Sequence, residues 1–314
     1  MDARDQVVTL FGGGGFLGRY VAQALMKSGA RVRIAERDPS DAWFLKPLGA
    51  LGQSQFVSAD ILRPDSARRA AQGSTAVVNL VGILKGDFEK VHVEGARNVA
   101  MAAADVGAEA FVQISAIGAD RASPAAYGRS KAEGEAAVRE AFPGATVIRP
   151  SVLFGAEDQF VNRFAGLASM LPVVPVVRPG VKLQPAWVSD VAQAVAAAAL
   201  DPRSHGGRTY ELGGPEVVTM EALNRWIGEA TGRTKPIWPV PDEAAALMAK
   251  AVGWLPGAPI TADQWAMLGR DNVVANDAAG FEAFGITPAP LAAVAPAWLV
   301  RYRRHGRFST TKSA

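Results

Sequence analysis

The stretch Val7-Val8-Thr9-Leu10-Phe11-Gly12-Gly13-Gly14-Gly15-Phe16-Leu17-Gly18 decides how the rest of the chain is read. A short β-branched and apolar run is followed by four glycines. An amphipathic stretch over 16–27 comes next, closed by Ser28-Gly29. That order predicts strand, tight turn, helix. Two glycine registers are present: Gly13, Gly15 and Gly18 satisfy G-x-G-x-x-G, and Gly12, Gly15 and Gly18 satisfy G-x-x-G-x-x-G. A side chain at such a turn would hold the backbone away from a pyrophosphate. Without Cβ atoms the amides can approach it, and the helix N-terminus adds partial positive charge. Phe16 and Leu17 open that helix and belong to the same candidate dinucleotide site.

Outward from the loop, strand and helix patterns alternate. Strands are expected over 31–35, from 56–57, and over 76–81, 111–115 and 146–149, the last ended by Pro150; helices are expected over 91–106 and 126–141. Strands separated by helices of ten to fifteen residues imply right-handed crossovers and a parallel sheet. The expected fold is therefore α/β, a Rossmann-type doubly wound parallel sheet with a smaller, mixed α/β C-terminal lobe. The expected boundaries are 1–155 for the dinucleotide-binding core and 156–300 for the lobe, with 182–200 returning to the core. A basic tail over 301–314 carries five Lys/Arg and no acid. In the lobe, the Pro/Val-rich run 172–179 cannot be an ordinary helix. Thr219 is placed to cap a helix.

Composition narrows the function. The 314 residues are 49% hydrophobic and 20% charged, which excludes a disordered chain. No run approaches the ~18 apolar residues of a membrane span, and no secretory leader is expected. There are no cysteines and only three histidines, so thiolate and His-rich metal sites are not expected. The lack of Cys fits a reducing compartment. A net charge of +3 gives no argument for nucleic acid.

Further candidates follow the strands. Glu36-Arg37 ends the second strand. An acid there takes the ribose hydroxyls of NAD(H), and an Arg favours the 2′-phosphate of NADP(H); the reading leans to NADP(H) through Arg37. Asp60 is placed to meet the adenine amino group and Ile61 to pack the ring. Asn79-Leu80-Val81-Gly82 ends the fourth strand, where a small residue lets a cofactor cross. Tyr127 and Lys131 stand four apart on an expected helix and so share a face. An ammonium beside a phenol stabilises phenolate, an acid/base arrangement for moving a proton while hydride moves to or from a cofactor.

With these residues, and with Arg149-Pro150-Ser151-Val152-Leu153-Phe154-Gly155 and Gln184-Pro185-Ala186-Trp187-Val188-Ser189-Asp190, the chain resembles the short-chain dehydrogenase/reductases of extended or atypical type from about residue 6 to 300. The resemblance implies cofactor contacts from Pro150, Ser151, Val152 and Ser115, and catalytic roles for Tyr127 and Lys131. It also implies a Ser or Thr past the fifth strand, where the sequence reads Gln113-Ile114-Ser115-Ala116-Ile117-Gly118. The aligned hydroxyl falls near Ile117, not Ser115, which puts the substrate-side donor, and turnover, in question.

A narrower likeness runs through residues 11–20, Leu45-Lys46-Pro47-Leu48-Gly49-Ala50-Leu51-Gly52-Gln53, residues 138–143 and residues 154–160. These resemble the dehydrogenase-like accessory subunits of respiratory complex I. That resemblance implies a tightly held NADP(H) and complex I subunits as partners. It implies a peripheral place near the membrane and quinone region, on the cytoplasmic face of a bacterial inner membrane or the matrix side in a mitochondrion. Residues 244–255, with Leu247, Met248, Ala251, Val252 and Leu255 expected on one face, and the basic tail offer a second contact with an anionic membrane, Trp254 lying at the interface. Packing of that face on the lobe's own core is the plainer expectation. The competing function is an active NAD(P)-dependent reductase, dehydrogenase or epimerase on a small, quinone- or isoprenoid-related substrate.

Overall fold

The computed structural model describes residues 3–253, 260–304 and 306. Seven parallel strands form the main sheet. In chain order the first six are β1 (Val7–Phe11), β2 (Arg31–Glu36), β3 (Ser54–Ser58), β4 (Ala76–Asn79), β5 (Ala110–Ile114) and β6 (Thr146–Pro150); Thr209–Leu212 is the seventh. Across the sheet the order is Thr209–Leu212, β6, β5, β4, β1, β2, β3. The chain thus walks one way from β1 to β3 and then restarts on the other side of β1. That reversal between β1 and β4 opens a crevice at their carboxyl ends, where ligands bind in sheets of this kind.

The middle strands β4 and β5 are buried at every residue, as their unbroken apolar runs require. Helices α1 (Phe16–Lys27), α2 (Pro64–Ala71), α3 (Ala96–Asp105) and α4 (Ala126–Ala141) make the crossovers. Their inner faces are alanine-rich: Ala67, Ala71, Ala100 and Ala103 pack with Val99, Val138, Phe11 and Phe111 in one buried cluster. Small side chains let the helices sit close to the sheet, and the phenylalanines fill the remaining volume, each stabilising by about 1.5–3 kcal/mol. One expected helix differs. Residues 91–106 are not helical throughout in one register, because a π-helical turn over Glu89–Gly95 precedes α3.

The chain divides into two compact units. The first gathers Met1–Pro150, Val188–Leu212 and Ala275–Thr287; the second holds Ser151–Trp187, Gly213–Val274 and Pro288–Ala314. In the second unit, Val174–Val177 pairs in parallel with Ile237–Val240, and short strands join Leu153–Phe154 to Ala186–Trp187. Its core contains Phe154, Val176, Leu223, Ile227 and Leu299. Thr219 caps the helix Met220–Ala230 by accepting the Ala222 N–H. The helix Asp242–Val252 corrects one expectation: it buries Ala245 and Ala249, while Leu247 is 68% exposed. Alanines, not the longer side chains, fit where this helix packs. Trp43 and Trp238 are also more than half exposed. Trp254, Leu255 and the tail beyond residue 304, Gly306 apart, lie outside the described residues. Among the described residues no helix is long and apolar enough to cross a membrane.

Candidate functional site

The glycine loop joins β1 to α1. Gly12 takes φ +81°, a conformation that L side chains resist. Its N–H is bonded to the Ala35 carbonyl, which anchors the turn to β2. Gly18 faces back into the turn, and a Cβ there would overlap the Gly12 carbonyl and come within 2.6 Å of the Gly13 oxygen. The turn is therefore closed around a missing methyl group. Gly15 precedes α1 with extended backbone and no capping side chain. Among the described residues the backbone N–H groups of Gly13, Phe16 and Leu17 take no partner.

The two charged residues at the end of β2 are divided between tasks. Glu36 accepts the Gly14 N–H at 2.6 Å and so braces the loop. Burial holds its carboxyl above the usual carboxylate range, against the lowering effect of that hydrogen bond. Arg37 is exposed beyond the strand end. Asp60 accepts the Leu62 N–H at 3.0 Å and lies 3.8 Å from Arg63. Ile61 is buried, and a Cβ on Gly95 would sit 2.9 Å from its Cγ1. The Asn98 amide donates to the Ile61 carbonyl.

Beside the first loop runs the second, Leu80-Val81-Gly82. The Leu80 N–H reaches the Phe11 carbonyl at 2.9 Å, and the Val81 N–H reaches Asn79 Oδ1 at 3.2 Å. A Cβ on Gly12 would meet Val81 at 3.2 Å, so the two loops touch. Gly82 stands next to Lys131: a Cβ there would lie 3.3 Å from Nζ. Lys131 is almost wholly buried and donates to the Ile114 carbonyl at 3.1 Å. Its Nζ lies 5.8 Å from the centre of the Tyr127 ring. Burial pulls this ammonium down to about 8, and Glu135 one turn along resists the shift.

Ser115 follows β5 and is buried, with its N–H bonded to the Ile148 carbonyl. Among the described residues its hydroxyl oxygen has no hydrogen-bond partner. Ile117 is half-buried, and its N–H reaches the Pro150 carbonyl at 3.1 Å. Ser151 and Val152 belong to the second unit, where Ser151 Oγ donates to Asn272 Oδ1 at 2.7 Å and the Val152 N–H to the same atom at 3.0 Å. The structure thus brings Gly12, Val81, Gly82, Tyr127 and Lys131 of the first unit together around the crevice.

His92 was not among the residues singled out by sequence. Its ring is buried on the π-helical turn, with Nε2 accepting the Ile83 N–H at 3.0 Å and Nδ1 2.9 Å from Ser130 Oγ. Ser130 Oγ in turn lies 2.9 Å from the Tyr127 carbonyl, to which it donates. Nothing in the spacing of residues 92 and 131 marks this contact; the scarcity of histidine was the only available signal. Burial, then the neighbouring Lys131 charge, lowers His92 to about 3. Its folded value lies below its unfolded one, so the stability it contributes is complete above about pH 6.5 and is lost as pH falls toward about 3. Between about pH 6 and about pH 5 this group alone removes about 1 kcal/mol. Urea unfolding at the two pH values measures the slope, and His92→Asn is expected to flatten it by that amount. His205, also lowered by burial, adds in the same direction and is left unchanged by that substitution.

The residues fit a dinucleotide on two observations. The loop is a cradle that a Cβ would fill, and the buried Ser115 hydroxyl is unsatisfied within protein. Comparison with known proteins places the chain in a family. The sequence profile described as the RmlD substrate binding domain matches residues 6–252. The chain is an RmlD-family protein. This RmlD-family chain is 38% identical over 293 residues to the mitochondrial NADH dehydrogenase [ubiquinone] 1 alpha subcomplex subunit 9 of Rattus norvegicus, covering 91% of this chain and 77% of that one. It is 34% identical to the Arabidopsis thaliana protein of the same name, covering 98% and 81%. These relatives are of the kind the sequence likeness pointed to. Among solved structures, an NADPH-dependent quinone oxidoreductase of Escherichia coli complexed with NADPH superposes with a TM-score of 0.75 at 22% identity, over 93% of this chain and 99% of that one. That likeness establishes the shared fold of the RmlD-family chain.

Proposed function

We propose that the chain is a nicotinamide-dinucleotide-binding accessory subunit of respiratory complex I, with NADP(H) as the bound form, peripheral to the membrane on the side that faces the quinone-reducing arm. The likeness to the rat subunit, running through 77% of that subunit's length, carries the reading. The geometry supports it. The open amides of Gly13, Phe16 and Leu17 suit the diphosphate. Lys131 and Ser115 suit the nicotinamide ribose. Glu36 is engaged by Gly14, which leaves Arg37 to face a 2′-phosphate. When bound, the nicotinamide supplies or accepts a hydride. In this fold the bound nucleotide also stabilises the native chain by mass action. The hydroxyl that the family resemblance implies for orienting a substrate oxygen aligns near Ile117, which has none, and this supports a holding site over a turnover site.

Affinity purification of the tagged chain from its own membranes tests the assignment: complex I subunits are expected in the eluate, and their absence overturns it. For the cofactor, Arg37→Ala is expected to weaken NADPH binding about 10- to 100-fold, the worth of charge-assisted bonds to phosphate, and to leave NADH binding within about twofold. Titration calorimetry with both nucleotides reads the split, and equal losses would assign Arg37 no part in the choice.

One observation favours the competing reading of an active reductase: the buried Lys131 ammonium lies 5.8 Å from the centre of the Tyr127 ring. In that case Tyr127 moves a proton at its Oη, with Lys131 one turn along the same helix, and Tyr127→Phe loses turnover while keeping the nucleotide.

A further inference from the structure

We propose that His92 is a positioning residue for Lys131: its ring ties the loop after β4 to the helix that carries the ammonium, and it keeps water away from that ammonium. The inference deepens the nucleotide-site reading and rests on it for its functional meaning.

Four observations carry it. First, the two hydrogen bonds of the ring fix its polarity. Nε2 accepts from the Ile83 amide, so the ring hydrogen sits on Nδ1 and points to Ser130 Oγ. The ring therefore bridges the loop at Gly82-Ile83 and α4, one residue before Lys131. Second, the ring stands over the same small residue as the ammonium. A Cβ on Gly82 would lie 3.3 Å from Lys131 Nζ and 3.8 Å from His92 Nε2. Third, the ring is locked from the sides. Phe88 stacks on it with centroids 5.4 Å apart and planes 15° from parallel, and Tyr127 meets it edge-on at 5.5 Å. Fourth, the backbone is shaped for the contact. The π-helical turn over Glu89–Gly95 departs from the α-helical register at this point, as such turns do at functional sites. Gly134 on α4 leaves room for the His92 carbonyl, which a Cβ would overlap.

The consequence is chemical. Titratable groups around Lys131 are Tyr127 and Glu135 on its own helix and His92 from the facing turn. Glu135 favours the charged ammonium. His92, with a value of about 3, adds no charge at neutral pH and contributes only the exclusion of water. Desolvation disfavours the charged form of a lysine, so the ring keeps Lys131 titrating near about 8, within reach of physiological pH, rather than near 10.5.

The test is made on nucleotide-free chain labelled with carbon-13 at lysine Cε, by NMR titration, with Lys131→Arg identifying the signal. In the unsubstituted chain Lys131 is expected to titrate near about 8. His92→Ala admits water and is expected to raise that midpoint by about one unit or more. Ser130→Ala removes one hydrogen bond but leaves the ring in place, and its midpoint is expected to stay. An unmoved midpoint in His92→Ala, within about 0.3 unit, overturns the proposal, as does an equal rise in Ser130→Ala. A loss of thermal stability without a midpoint change is the signature of a merely structural residue and counts against the proposal too. Should His92→Ala fail to fold, His92→Asn, smaller but able to keep the contact with Ser130 through its amide, is read by the same criterion. Failure of the chain to bind any nucleotide would sink the cofactor reading while leaving this titration intact.

Discussion

Gly18→Ala is expected to abolish retention of the nucleotide. The added methyl group has nowhere to go, since it would overlap the Gly12 carbonyl and crowd the Gly13 oxygen. These are backbone atoms, so no rotamer change relieves the clash. Either the turn opens or α1 moves away from it, and both displace the amides from the position a diphosphate requires. A loss of affinity of at least about 100-fold, close to 2.7 kcal/mol, is expected. Fluorescence transfer from tryptophan to NADPH reads it. Gly166→Ala is the control: it lies on the helix Val161–Met170, a Cβ there meets nothing within 4 Å, and alanine favours helix. Equal binding by both variants would mean that the loop does not hold the ligand.

Arg149→Met is expected to give the largest loss of stability. Glu135 is 2% exposed, and Arg149 grips it with Nε on one oxygen and Nη2 on the other, both at 2.8 Å. The same guanidinium reaches Glu211 on the seventh strand at 3.3 Å. Methionine fills much of the volume but leaves a buried carboxylate with Arg139, at 3.4 Å, as its nearest cation. Removing one partner of a buried pair costs about 3–5 kcal/mol, because the remaining charge is left unsolvated with only the longer contact to Arg139. The urea midpoint is expected to fall accordingly. Restoring it with Glu135→Gln in the same chain would show that the unmatched charge, not lost packing, is the cause. An unchanged midpoint in the single variant would remove the ion pair from the account of stability.

Much of the first unit was legible because its signals are local. A strand, a glycine turn and a helix occupy 21 consecutive residues, and each subsequent strand announces itself by an apolar run. The pairing of Tyr127 with Lys131 was legible for the same reason, since helical spacing alone places them together. What the sequence withheld depends on distance. His92 reaches Ser130 across 38 residues, and Arg149 reaches Glu211 across 62; neither pair has a spacing rule. The π-helical turn was missed because it is a single turn running directly into α3, and no residue type over 89–95 marks the change of register. The exposure of Leu247 ran against a pattern that ranks side chains by hydrophobicity, whereas the packing of Asp242–Val252 selects them by size.

The seventh strand has a bearing on biosynthesis. Its residues, 209–212, leave the ribosome some sixty positions after β6, a delay of about 3–12 s at ordinary elongation rates. During that interval the nascent chain already holds the glycine loop and its neighbouring strands, while the outer margin of β6 is bare. Bare sheet margins invite pairing with other chains. A chaperone on that margin would shelter the growing polypeptide until Thr209–Leu212 arrives to close it.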